Sequence, residues 1–161
     1  MNIHNKKFEK FLTIYNIAKK HNCKIFFETG THDGYTFVHA LMSGQFEKLI
    51  TIELNSYFHQ ISQDYISDAY RKFGFNSQNH KVFCIEGDSS KVMQTIIENI
   101  NIDPELKLTE KTLFWLDAHY DNNPIQSIPD SGECPIIQEI KAIQVHKDKN
   151  HIILVDDVET F

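Results

Sequence analysis

Cysteine is scarce: Cys23, Cys84 and Cys134 are the only three in 161 residues. They are odd in number, widely spaced and form no C-x-x-C or zinc-like pattern. Reduced structural thiols are expected, not a disulfide framework. Long apolar runs are absent too: no uninterrupted stretch approaches the roughly 20 residues a spanning helix needs. The opening MNIHNKKFEKFLTIYN mixes charge with periodic apolar positions, where a signal peptide would carry an apolar block. These absences predict a cytoplasmic protein away from membranes. Positive charge is in deficit, with 16 Lys and Arg against 22 Asp and Glu and a formal net charge of −6. That argues against an electrostatically driven nucleic-acid binder. Repeats and low-complexity tracts are missing. At 41% hydrophobic and 24% charged over 161 residues, the chain is expected to form a single domain, 1–161, with a sizeable core.

What is present alternates. Residues 5–21 set Phe8, Phe11, Leu12, Tyr15 and Ala18 on one helical face, so a leading helix is predicted within residues 1–22. KIFFE (24–28) is a short buried strand, followed by a helix over 34–46 with Phe37, Val38 and Leu41 inward. KLITIEL (48–54) is a second strand, and Phe58, Ile61, Tyr65, Ala69 and Phe73 mark the next helix face. HKVFCIEGD (80–88) is a third strand. Ser89 or Ser90 can cap the helix that carries Met93, Ile96, Ile97 and Ile100. TLFWLDAHY (112–120) and HIILVDD (151–157) complete five strands, separated by a helix opened by Pro135 and carrying Ile136, Ile140 and Ile143. Near-continuous apolar strands between amphipathic helices imply a parallel α/β sheet covered on both faces. Ligands of such sheets bind outside the carboxyl ends of the strands.

Every predicted strand delivers an acid to that edge: Glu28, Glu53, Asp88, Asp117, and Asp156 with Asp157. One acid at a strand end is ordinary turn chemistry. Five on one rim repel one another unless a cation or hydrogen-bond donors compensate. The first turn, E-T-G-T-H-D-G, departs from the G-x-G-x-x-G that cradles a pyrophosphate. Gly30 can supply the tight turn and Gly34 the close helix approach, but Glu28 and Asp33 disfavour a polyanion. No lysine follows Gly34, as a P-loop would require. An ammonium or sulfonium centre suits the turn better. Glu53, ending the second strand, can take both hydroxyls of a ribose. Asp88 is placed to accept from an adenine amino group, with the Ser89 N–H available to the ring. Adenosine with a cationic amino-acid tail describes S-adenosylmethionine.

Together FFETGTHDG, ITIEL, CIEGDSS, FWLDAHYD and IILVDDVETF resemble the class I S-adenosylmethionine-dependent methyltransferases, from about residue 24 to the C-terminus. The run FWLDAHY…CPIIQEIKAI…HIILVDDVETF is similar to a bacterial and viral group related to sugar and natural-product O-methyltransferases. The resemblance implies a Rossmann-like sheet in the order 3-2-1-4-5 and an enzyme that methylates a hydroxyl of a small acceptor. It implies S-adenosylmethionine held by Glu28, Thr29, Gly30, Thr31, Gly34, Glu53, Asp88, Ser89 and Asp117. In the metal-dependent members, carboxylates after the fourth and fifth strands hold a divalent ion. Asp117, Asp156 and Asp157 occupy the matching places, and oxygen donors suit Mg²⁺, or else Mn²⁺ or Ca²⁺. Asp117 and His119 are the candidate catalytic residues, since the acceptor hydroxyl needs a base or a bound cation. His119 is a general base, a further ligand, or simply a surface histidine at a strand end.

Trp115 is expected in the core, Tyr120 is a strand-end aromatic able to border the acceptor pocket, and 121–133 is expected as a lid or a plain connector. The chain ends at Phe161, without the further helix and antiparallel strands such enzymes usually add. A minimal domain, a fragment, or a homodimer covering the exposed fifth strand is the expectation. The alternative functions are a non-catalytic S-adenosylmethionine or adenosine-binding module and, opposed by the acid-rich turn, a dinucleotide-dependent α/β protein.

Overall fold

A computed structural model of the chain describes residues 3–75, 80–99, 101–118 and 134–156. The elements are α1 (Ile3–His21), β1 (Ile25–Thr29), α2 (Tyr35–Met42), β2 (Lys48–Glu53), α3 (Ser56–Phe73) and β3 (Lys81–Glu86). There follow α4 (Ser89–Glu98), a 3-10 turn at Pro104–Leu106, β4 (Thr112–Leu116), α5 (Ile136–Val145) and β5 (Ile152–Val155). All strand pairs are parallel, in the order β3-β2-β1-β4-β5. This is the 3-2-1-4-5 sheet expected, and its three inner strands are buried along nearly their whole length.

The period-2 alternation of each strand divides the core in two. Phe26, Leu49, Leu113 and Trp115 face α1, α2 and α3, meeting Ile14, Ala18, Phe37, Leu41, Ile66 and Ala69. Phe27, Ile50, Ile52, Phe114 and Leu116 face α4 and α5, meeting Met93, Ile96, Ile97 and Ile143. Burying each such side chain contributes about 1.5–3 kcal/mol. Trp115 is core, as expected.

Three helix faces differ from the periodic reading. In α1, Phe11, Ile14 and Ala18 are buried, whereas Phe8 and Leu12 are exposed. In α3 the expected Ala69 is buried, but Ser62 and Ile66 take the inward places one position beyond the expected Ile61 and Tyr65, and the expected Phe73 is exposed. The reason is local: Gly34 at the start of α2 comes so close that a Cβ on it would stand 3.2 Å from Ser62 Cβ. Only a small residue fits opposite, and this fixes the rotation of α3. In α5, Glu139 shares the buried face with Ala142 and Ile143. The cap of α4 also differs: it is Asp88, not Ser89 or Ser90, because its carboxylate reaches Ser90 N at 3.0 Å.

At the amino edge, two histidines seal the start of β4. Thr112 N–H donates to His151 Nδ1 at 3.1 Å, so His151 carries its proton on Nε2 and donates it to His146 Nδ1 at 2.9 Å. Burial and the neighbouring His146 hold the His151 pKa below its ordinary value. At His151 the folded state therefore binds fewer protons than the unfolded chain, and this contribution to stability is lost as pH drops below about 6.5, against the buried acids Glu28 and Glu139, whose raised pKa values act in the opposite sense. From pH 7.5 down to pH 5 the melting midpoint of His151→Gln should rise relative to that of wild type, because the variant lacks the histidine's contribution. Equal slopes for the two proteins would exclude this contribution.

Candidate functional site

Four backbone bonds run one residue past the strands and fix their carboxyl ends together. Gly30 N–H donates to Ile52 O at 2.9 Å, Gly87 N–H to Glu53 O at 2.9 Å, Asp117 N–H to Thr29 O at 3.1 Å and Asp156 N–H to Leu116 O at 3.0 Å. Glu28, Glu53, Asp88, Asp117 and Asp156 all arrive at this edge, as the sequence predicted.

Glu28 lies on the face covered by α1–α3 and is 2% exposed. Thr51, its register partner on β2, donates to Glu28 Oε2 at 2.8 Å. Thr31 in turn donates to the Thr51 hydroxyl at 2.5 Å. Burial pushes the Glu28 carboxyl well above its ordinary range; Thr51 opposes this, while Asp117, Glu53 and Asp33 push it further up. Such an acid ionises at low cost only beside a cation.

Gly30 makes the turn after β1 possible. Its φ is +77°, and a Cβ there would stand 2.5 Å from Asp117 O and 2.9 Å from Ala118 N. Asp33, one residue before the Gly34 N-cap of α2, accepts from Tyr35 N at 3.1 Å. Glu53 is held at both oxygens: Oε2 accepts from His32 N at 2.7 Å and Oε1 from Asn55 N at 2.9 Å. Each oxygen keeps a lone pair for a further donor. The His32 ring stacks on Phe58 with centroids 4.2 Å apart. Asp88 spends Oδ1 on the α4 cap, accepting from Ser90 N and, at 2.6 Å, from Ser90 Oγ. Its buried Oδ2 has no hydrogen bond, the Lys91 ammonium standing 4.0 Å away.

On the other side of β1, Asp117 follows β4 and Asp156 follows β5. Asp156 is paired with the ammonium of Lys10, which α1 brings across the sheet edge. His119, Asp157, Tyr120 and the 121–133 segment lie outside the described residues. Two of the three expected metal ligands are therefore described, and one of them already holds an ammonium. Among the described residues no three His, Cys, Asp or Glu side chains stand together as a metal site.

Five contributors escaped the sequence reading: Lys10, His32, Thr51, Asn55 and Glu139. Asn55 had a signal, an Asn just before a helical run, and it accepts from Tyr57 N and Phe58 N as the α3 cap. Glu139 falls between Ile136 and Ile143 at inward-facing spacing. Lys10, Thr51 and His32 act across the fold and leave no local mark.

A parallel sheet in this order, covered by helices on both faces, is the Rossmann-like methyltransferase fold. Among solved structures the chain is similar to the S-adenosylhomocysteine-bound Podospora anserina methyltransferase PaMTH1, at 18% identity and TM-score 0.58 over 97% of this chain and 53% of that one. It is similar to the O-methyltransferase TomG of Streptomyces achromogenes in complex with S-adenosylmethionine, at 14% identity and TM-score 0.55 over 91% and 54%. It is similar to a Bacillus cereus O-methyltransferase in complex with S-adenosylhomocysteine, at 19% identity and TM-score 0.51 over 88% and 52%. The chain thus spans little more than half the length of these three structures. At these identities the likeness is one of fold. No family model and no curated protein matches the chain.

Proposed function

We propose that the chain binds S-adenosylmethionine and is a methyltransferase acting on a hydroxyl of a small acceptor, of sugar or natural-product type. The observation that carries this reading is the row of acceptors along the edge of β1, β2 and β3. Glu28 is a buried acid suited to a cationic tail, Glu53 is a doubly anchored carboxylate with lone pairs to spare, and Asp88 keeps one buried oxygen without a hydrogen bond. Bound S-adenosylmethionine would supply the methyl group and leave as the thioether. The acceptor oxygen gains the C–O bond and loses its proton to Asp117 or His119.

In the same reading Asp117, Asp156 and Asp157 take a divalent ion, Mg²⁺ or else Mn²⁺ or Ca²⁺, with Lys10 as the cation it would displace. The cytoplasm as setting, and a homodimer through the exposed β5 edge, where Ile153 is 38% exposed, belong to this proposal too.

Calorimetry with S-adenosylmethionine, S-adenosylhomocysteine and NAD tests it: heat is expected with the two sulfur ligands alone. No heat from either at millimolar concentration would sink the proposal. A methyl-transfer screen over sugars, phenols and small hydroxy compounds then separates an enzyme from a binding module. Transfer by Asp117→Ala should no longer respond to Mg²⁺ or to a chelator. Transfer by that variant equal to wild type, with and without chelator, would refute the metal role.

A further inference from the structure

On the sheet face opposite Glu28, a second acid is buried still more completely. Glu139 projects from α5 beside Ala142 and Ile143 and is 0% exposed. Neither of its carboxyl oxygens has a hydrogen bond. The side chains around it are Thr29, Ser89 and Asp88. Two of these, Thr29 at Oγ1 and Asp88 at Oδ2, also carry buried oxygens without a hydrogen bond. The Thr29 and Ser89 hydroxyls face the carboxyl without closing a bond of ordinary geometry to it. An apolar side chain would fill this place with no polar group to satisfy. Packing therefore does not explain an acid here.

We propose that Glu139 is a positioning residue for nucleoside binding, linking the Thr29 end of β1 to the Asp88–Ser89 start of α4 through a neutral carboxyl. The inference rests on the reading of Glu53 and Asp88 as the nucleoside's partners. A neutral carboxyl donates through its O–H and accepts through its C=O, so it can engage both hydroxyls at once. Ionised, it sets a second negative charge beside Asp88 in a dry helix contact. Water must then enter, or α4 and α5 must part, and the nucleoside wall loosens.

Burial pushes the Glu139 carboxyl up to about 7; the Ser89 and Thr29 hydroxyls oppose the rise and Asp88 adds to it. Asp88 faces it from the start of α4, with the Lys91 ammonium 4.0 Å from Asp88 Oδ2. Cys134, on the approach to α5, is the other titratable neighbour, its thiol pushed up chiefly by burial and also by Glu139. The cluster between the sheet and α4–α5 that includes Glu139's face partners Ala142 and Ile143 is apolar, with Phe114, Leu116, Met93, Ile96 and Ile97.

The probe is 5′-methylthioadenosine, which carries the nucleoside without the amino-acid tail and so leaves Glu28 unread. If only the neutral form binds, with a midpoint near 7, the competent fraction at pH 8.5 is roughly one in thirty. Calorimetry should show affinity weakening at least threefold, and up to about 30-fold, from pH 6 to pH 8.5. Glu139→Gln should stay within threefold over that range and match wild type at pH 6. A wild-type change under threefold, or a decline of threefold or more in Glu139→Gln, overturns the proposal. Binding heats of wild type in two buffers of different ionisation enthalpy at pH 7.5 give a test that needs no variant. Proton uptake is expected, and release or no exchange overturns the proposal. Absence of binding by both methylthioadenosine and S-adenosylhomocysteine at both pH values would instead sink the nucleoside reading itself, and this inference with it.

Discussion

Gly30→Ala is expected to destabilise the protein by about 2–5 kcal/mol, a large part of the roughly 5–15 kcal/mol that holds a domain folded. Two costs add. Alanine at a φ of +77° pays about 1–2 kcal/mol for the left-handed backbone. Its Cβ would also stand 2.5 Å from Asp117 O, 2.8 Å from Asp117 C and 2.9 Å from Ala118 N. All three are backbone atoms, so no side chain can swing aside, and overpacking of this kind costs about 1–3 kcal/mol. Gly44→Ala isolates the first cost, because Gly44 has a φ of +63° with nothing within 4 Å of a built Cβ. That variant should lose only about 1–2 kcal/mol. Urea unfolding of the two variants decides the matter. Equal losses would mean that the passage of the turn after β1 beside the end of β4 does not require glycine. The clash also has a functional side, since its relief requires the Gly30 turn and the Asp117 backbone to move apart.

Gly30 shows how far the sequence could be read. Its turn was legible from E-T-G-T-H-D-G, but the reason for it was not. The glycine admits the β4 backbone, a neighbour 87 residues away. The five strands and the acids at their ends were legible because hydrophobic period and strand-end position are local properties, whereas the sheet order came only with the resemblance. The rotation of α3 was not, since Ser62 faces inward only because Gly34 presses against it. Asp88 looked like a ligand residue and Ser89 or Ser90 like the cap; in fact one carboxylate serves the cap with Oδ1 and keeps Oδ2. Glu139 was hidden for a related reason. An acid on an amphipathic helix is normally assigned to the solvent side, and only the packing of α5 against α4 and β1 turns it inward. Lys10 reaches Asp156 across 146 positions, which no local pattern records.

Glu53→Ala should have the largest effect on ligand binding. A carboxylate accepting from two ribose hydroxyls makes two hydrogen bonds to a charged group, each contributing about 1.5–3 kcal/mol. Losing both predicts an affinity for S-adenosylhomocysteine at least about 100-fold weaker. The variant also strips acceptors from His32 N–H and Asn55 N–H, and His32 sits at a φ of +50° in the same turn. A fall in melting midpoint is therefore expected as well, and weakened binding alone would not identify the ribose contact. A double-mutant cycle with the 2′-deoxy analogue of S-adenosylhomocysteine does. Wild type should prefer the ribose form by about 10-fold or more, the worth of one such bond. Glu53→Ala should bind both forms with the same low affinity, because the group that told them apart is gone. Discrimination that survives in Glu53→Ala would remove Glu53 from the ribose and leave it as an anchor of the His32 and Asn55 turns. Discrimination that vanishes assigns the carboxylate to the ligand, whatever the variant has lost in stability.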